Sequence, residues 1–235
     1  MARLTRLSVA GAVHYVRLRA ASEISLMPSE EDIETFLHLL AQCAKKHDTD
    51  VAAYALVPDQ IQLLLIPRRR AESLSECVQA LARLYSMSFN DRYSRSGTIW
   101  LGRFASSVIG GQENVLRATV YLEHLSERVN IASAEDYPWS SFSHHAGLRS
   151  DGFLTPTQAY WNLGNTPFER QRMYRKFFEE ELPEEFCKNL VQSIPRGWPV
   201  GDAKFLSEIK ADEARIRPIR GRGRPKKTIA DPNLK

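Results

Sequence analysis

Gln60 and Gln62 follow a Pro58-Asp59 turn in Tyr54-Ala-Leu-Val-Pro58-Asp-Gln-Ile-Gln62-Leu-Leu-Leu-Ile66-Pro67, a stretch that reads as a β-hairpin. Alternate residues of a strand point to one face, so the two side-chain amides lie side by side. An amide oxygen can touch Mg²⁺ or Mn²⁺, but it is neutral and competes poorly with water. Tyr121 sits in a helical segment with Val115, Leu116, Val120 and Leu122. On the residues alone it reads as a core tyrosine whose hydroxyl reaches the solvent edge. Three residues on, His124 shares that helix, yet one imidazole does not make a metal site. His144 and His145 are adjacent and diverge, and His14 alternates with Val13 and Tyr15 on a strand, which suits a structural role.

The cations suggest a second chemistry, contact with a polyanion. The net charge is only +4, but it is unevenly spread: residues 60–110 hold seven Lys and Arg against three acidic residues, and residues 214–235 hold eight against one. Residues 111–213 are acidic, and Glu179-Glu-Glu-Leu-Pro-Glu-Glu185 reads as a solvated helix face. In the first basic zone Arg68, Arg69, Arg70, Arg83, Arg92, Arg95 and Arg103 are interleaved with Tyr85, Tyr93, Trp100 and Phe104. Arginines hold phosphates while aromatics stack on unpaired bases; the competing reading packs Trp100 and Phe104 in the core and leaves Arg68–Arg70 as a solvated loop. In the tail, Arg220-Gly-Arg222-Gly-Arg224-Pro225-Lys226-Lys227 resembles an AT-hook, in which arginines reach into narrow A·T minor grooves; a generic basic tail is the alternative.

The elements that must position these residues follow the order strand, helix, strand, strand, helix, strand, helix and then become helical. Ser29-Glu-Glu-Asp32 predicts a helix start, with Ile33, Phe36, Leu37, Leu40 and Ala44 at helical spacing. Ser73-Leu-Ser-Glu76 predicts a second, burying Cys77, Leu81, Leu84, Tyr85 and Phe89. The fourth strand is expected near Phe104–Ile109, ended by Gly110-Gly111, and the third helix from about Glu113 to Glu127. Short helices are expected near 140–145, 156–162, 167–181 and 184–193. This order suggests an α+β sandwich with a ferredoxin-like antiparallel sheet. The expected organisation is a domain over 1–135, a helical extension over 136–213 and a basic tail over 214–235 that is disordered in isolation.

The 235 residues, 43% of them apolar, suffice for one sizeable core. No run has the length of a membrane span and no cleavable leader opens the chain, so the expectation is a cytoplasmic, nucleoid-associated protein without a membrane partner. Cys43, Cys77 and Cys187 are far apart on apolar helical faces, which suits buried thiols better than disulfides or zinc.

Several segments, in order, carry a family resemblance. Pro58-Asp59-Gln60-Ile61-Gln62-Leu63-Leu64 resembles the Pro-Asn-His-x-His-Leu-Leu strand of IS200-like tyrosine transposases, in particular the REP-associated branch. Gly11-Ala-Val-His-Tyr15-Val is similar to their opening strand, and Thr98-Ile-Trp100-Leu-Gly102-Arg103-Phe104 to their Gln-Gly-Arg-Phe segment. Tyr121-Leu-Glu123 is similar to the motif that carries the nucleophile. Asp136-Tyr137-Pro138-Trp139-Ser140-Ser141-Phe142 is the most specific match, and Arg196-Gly-Trp198-Pro-Val-Gly201 resembles the C-terminal extension. The resemblance implies a fold with a ferredoxin-like sheet, single-stranded or hairpin repeat DNA as substrate, and Tyr121 as the nucleophile position. It also implies a divalent cation held by two strand histidines and a polar residue one turn after the tyrosine. Those positions are Gln60, Gln62 and Leu125 here, so no metal or other cofactor is expected, and metal-dependent cleavage is expected to be lost. The main alternative is an active tyrosine transposase or single-strand endonuclease, working through Tyr121 in an altered site with Mg²⁺ or Mn²⁺. A further alternative is an architectural protein acting on duplex DNA through its tail.

Overall fold

The computed structural model describes residues 6–209. Four strands, β1 (Val13–Arg19), β2 (Thr49–Val57), β3 (Gln60–Pro67) and β4 (Ala105–Ile109), form one antiparallel sheet in the order β2-β3-β1-β4. Helix α1 (Glu30–Lys46) connects β1 to β2 and α2 (Glu72–Arg92) connects β3 to β4, giving the α+β, ferredoxin-like arrangement expected from the alternation of periods. β2 and β3 are apolar on both faces because both faces of the sheet are covered.

One face packs Val16, Leu18, Leu56, Ile61 and Leu63 against α1 and α2. The other packs Tyr15, Ala53, Ala55 and Leu64 against α3 (Gln112–Glu123), the short α4 (Leu125–Arg128) and the chain beyond. That later chain holds α5 (Phe142–His145), α6 (Gln158–Trp161), α7 (Pro167–Glu179), α8 (Glu184–Arg196) and α9 (Ala203–Glu208). It also covers both sheet edges, which would otherwise expose unpaired backbone groups. At β2, the Leu56 N–H donates to the Trp139 carbonyl (3.0 Å) and the Ser141 N–H to that of Tyr54 (2.9 Å). At β4, the Val200 N–H donates to Val108 and the Gly110 N–H to Val200, both at 2.8 Å.

The start of α1 is as expected: Ser29 caps it, with a reciprocal bond from its backbone to the Asp32 carboxylate. Two boundaries differ. Helix α2 begins at Glu72 without a side-chain cap, because Ser73 is turned into the core. The single helix expected over 113–127 is interrupted at His124, whose ring stacks on Phe178 (centroids 4.1 Å apart) while its Nδ1 bonds Glu127 at 2.7 Å. The thiols of Cys43 and Cys77 are buried and that of Cys187 is half-buried.

His14 is fully buried, and its two ring nitrogens are satisfied by the backbone: Nε2 accepts from the Val9 N–H (3.1 Å) and Nδ1 donates to the Ala12 carbonyl (2.8 Å). Burial pulls its pKa down to about 4, only partly offset by the carbonyls of Ala12 and Leu65. A folded-state pKa below the unfolded one means the unfolded chain binds the proton first. This contribution to stability is therefore complete above about pH 6.5 and falls through the window from 6.5 to 4, by about 3 kcal/mol in total. NMR of the imidazole should show His14 neutral at pH 5; titration near 6.5 would refute the assignment.

Candidate nucleic-acid interface

In the β1–β3 pairing Arg17 lies opposite Gln62, Arg19 opposite Gln60 and Tyr15 opposite Leu64. Alternation therefore puts Tyr15, Arg17, Arg19, Gln60 and Gln62 on one face of the sheet. A chain of donors runs outward across it: the Tyr15 hydroxyl donates to Gln62 Oε1, and Gln62 Nε2 donates to Gln60 Oε1 at 3.0 Å. Tyr15 and Gln62 are buried and Gln60 is half-buried, so the chain leads from the core to the surface. Burial holds the Tyr15 phenol far above the ordinary tyrosine range, which keeps it a proton donor.

Helix α3 crosses the same face and brings Tyr121 over it. The rings of Tyr15 and Tyr121 are 6.4 Å apart. Tyr121 is half-buried, and its hydroxyl has no hydrogen-bond partner among the described residues. The Arg128 guanidinium lies 3.7 Å above its ring and donates to its backbone carbonyl, a cation–π contact that fixes the ring orientation. Sequence reasoning placed Tyr121 and the glutamines in different elements; the structure brings them onto one face.

The residues present do not fit a divalent cation. Each glutamine oxygen is neutral and already accepts one inward hydrogen bond, and Leu125 is buried in the core with no donor atom to offer. His124 is committed to Glu127 and to the Phe178 carbonyl, and His144 accepts from the Asp151 N–H at 3.1 Å. Among the described residues no cluster of three or more His, Cys, Asp or Glu side chains is placed to hold a metal.

The first basic zone divides into two ends of the molecule. Arg68, Arg69 and Arg70 follow β3 at the end opposite Gln60, about 25 Å away along the strand. Arg68 Nε donates to Asp50 (2.8 Å), Arg70 pairs with Glu76 (2.6 Å), and the exposed Arg69 lies 3.7 Å from Asp48. Arg92 is bound by Asp32 and Glu31 (2.7 and 2.8 Å), and Arg95 lies 5.7 Å from the Phe89 ring. Arg103 is exposed; the adjacent Leu101 N–H donates to the Arg19 carbonyl (2.9 Å), which puts this loop at the Gln60 end of the sheet.

The aromatics expected to stack on bases are mostly core residues. Trp100 Nε1 donates to the Ala82 carbonyl (3.0 Å) and Ser86 (2.8 Å), Tyr85 is buried, and Phe104 lies under the Arg6 guanidinium. Tyr93 is exposed, but its hydroxyl donates to Asp32 at 2.6 Å. Interleaving in sequence did not become a surface because α2 turns Tyr85 and Phe89, one turn apart, toward the sheet. Arg220, Arg222, Arg224, Lys226 and Lys227 lie outside the described residues.

Two features escaped the sequence reading. Arg17 alternates with the buried Tyr15, so a charge in the middle of a covered strand was the available signal. The other is a buried polar cluster around Glu123, two residues after Tyr121, joined by Ser141, His145 and Tyr174. The partners of Glu123 are distant in sequence; Ser141 falls in the Asp-Tyr-Pro-Trp-Ser-Ser block, but no local pattern ties it, His145 or Tyr174 to Glu123.

No protein-family model matches the chain, and neither does any curated protein sequence. Among solved structures, a REP-associated tyrosine transposase bound to a REP hairpin is similar over 68% of this chain and 96% of that one, with a TM-score of 0.55 at 15% identity. A provisionally assigned transposase from Deinococcus radiodurans R1 aligns over 56% of this chain and 99% of that one, with a TM-score of 0.36 at 14% identity. The chain thus has the fold of a REP-associated tyrosine transposase, in agreement with the family its motifs resemble. No helix among the described residues is long and apolar enough to cross a membrane.

Proposed function

We propose that this is a transposase-like DNA-binding protein that holds hairpin-forming single-stranded repeats at the Tyr121 face of its sheet, without metal-dependent strand cleavage. The observation that carries this reading is the donor chain from Tyr15 through Gln62 to Gln60, laid beneath Tyr121. It keeps the tyrosine position of a strand-transfer site while turning neutral, already hydrogen-bonded amide oxygens to where a cation would need ligands. A transposase of the same fold is bound to a REP hairpin, which supports hairpin DNA as the partner. The Arg-Gly-Arg-Pro tail would add contacts to A·T-rich duplex and work from the nucleoid. Loss of a metal Lewis acid removes several kcal/mol of charge stabilisation, enough to reduce cleavage by orders of magnitude.

The test uses the full chain and single-stranded oligonucleotides carrying palindromic repeats found near its gene. A gel-shifted complex is expected in EDTA, with no covalent adduct in Mn²⁺. A robust adduct that disappears in Tyr121→Phe would overturn the proposal in favour of an active strand transferase.

A further inference from the structure

The floor beneath Tyr121 has the polarity of an anion site. Both glutamine oxygens point inward, so the group left at the surface end of the chain is the Gln60 Nε2 amide, a donor. Beside it, Arg17 has its Nε fully buried without a hydrogen-bond partner, and no carboxylate lies within ion-pair distance of Arg17 or Arg19 among the described residues. An unpaired buried guanidinium nitrogen is costly and rare. Burial pulls the Arg17 pKa down, and the charge of Arg19 nearby pulls it further. The other guanidinium at Tyr121, that of Arg128, is committed to the Tyr121 ring and backbone carbonyl.

The surroundings select where an anion can sit. Beyond Tyr121 a cleft of about 710 Å³ is lined by Glu127, Glu135, Glu179, Glu180 and Glu181 against the single cation Arg128, and a hydrogen bond from the Ala134 N–H holds the Glu127 carboxyl below its ordinary range. That side repels phosphate. The sheet side, with Arg17 and Arg19, attracts it.

We propose that Arg17, with the Gln60 amide, forms a metal-independent clamp for one backbone phosphodiester of single-stranded DNA on the sheet side of Tyr121. Positive charge supplied by an arginine stands where the resemblance implied a cation; this rests on the functional reading above, and narrows it to one phosphate and one set of donors. Guanidinium suits the task because its fork can bond two phosphate oxygens at once.

The experiment compares wild type, Arg17→Gln and Arg17→Lys by fluorescence anisotropy on two fluorescein-labelled probes, a repeat hairpin and an oligothymidylate of equal length, across a salt series in EDTA. Arg17→Gln is expected to bind both probes about tenfold more weakly. Its log–log salt slope should be shallower by about 0.7, as for one lost single-strand phosphate contact. Arg17→Lys should restore the slope and part of the affinity. Thermal unfolding of Arg17→Gln should occur at or above the wild-type temperature, since an unpaired desolvated charge is removed, which separates a binding role from a structural one. Unchanged affinity and slope in Arg17→Gln overturn the clamp. Wild-type binding without hairpin preference, yet with the Arg17 effect intact on oligothymidylate, overturns the repeat-recognition reading and supports the clamp; no binding to either probe overturns both.

Discussion

Glu123→Ala is expected to cost about 3–5 kcal/mol of stability, the range for breaking one partner out of a buried charged network. Glu123 is fully buried at the last turn of α3, and its carboxylate accepts from Ser141 Oγ (2.6 Å), His145 Nδ1 (2.7 Å) and the Tyr174 hydroxyl (2.5 Å). Removing it strands three donors at once, all on buried side chains. The Tyr174 phenol, raised well above its ordinary range by burial and by the Glu123 charge, cannot respond by ionising. Tyr160 extends the cluster by donating to the His145 carbonyl (2.8 Å). The network links α3, α5, α6 and α7, so it fixes the helix that carries Tyr121 to the later chain. The midpoint of thermal unfolding should fall by about 10 °C. Glu123→Gln, which keeps acceptor capacity but loses charge, should cost less. A loss below about 1 kcal/mol in Glu123→Ala would show that the cluster is not held as a unit.

Leu125→Asn, the substitution that would rebuild the third ligand position, should cost a further large amount, about 3–5 kcal/mol. Leu125 is 2% exposed within the core cluster of α3, the sheet and the later helices. Shortening a buried leucine leaves a cavity, and an amide without partners adds its desolvation penalty. Replacing Gln60 and Gln62 by histidine changes only the floor, whereas Leu125→Asn attacks the packing under the same helix. The triple variant is therefore expected to lose cooperative unfolding before it gains a metal-dependent adduct. Equilibrium urea unfolding of Leu125→Asn alone checks this; a change within about 1 kcal/mol of wild type would mean that the position is tolerant and the ligand set can be restored.

Much of the frame was legible along the chain. The apolar runs on either side of the Pro58-Asp59 turn specify the β2–β3 hairpin, and the period of 3.6 after Ser29 specifies α1, because each signal is local. The Asp-Tyr-Pro-Trp-Ser-Ser block was legible only as a signature. Its work is long-range: the Tyr137 hydroxyl donates to the Leu56 carbonyl 81 residues away, and Ser141 Oγ accepts from the Tyr54 N–H 87 residues away, closing the β2 edge. No periodicity encodes such a contact.

The site shows the same division. By itself the sequence determined that Gln60 and Gln62 share a face, that Tyr121 lies on a helix, and that two imidazoles and a polar ligand are absent from the positions where the resemblance implied them, since residue type and strand alternation are properties of the chain. Only the tertiary structure decided that Tyr121 packs beside the Tyr15 that binds Gln62, that the Gln62 oxygen accepts from Tyr15 and the Gln60 oxygen from Gln62, and that the buried Nε of the half-buried Arg17 is left without a partner beside them. It also dispersed the basic zone, binding Arg68, Arg70 and Arg92 to carboxylates and taking Trp100 into the core. Charge and aromatic content are additive along a sequence, whereas hydrogen-bond saturation and burial depend on which groups the fold brings within about 3 Å of one another.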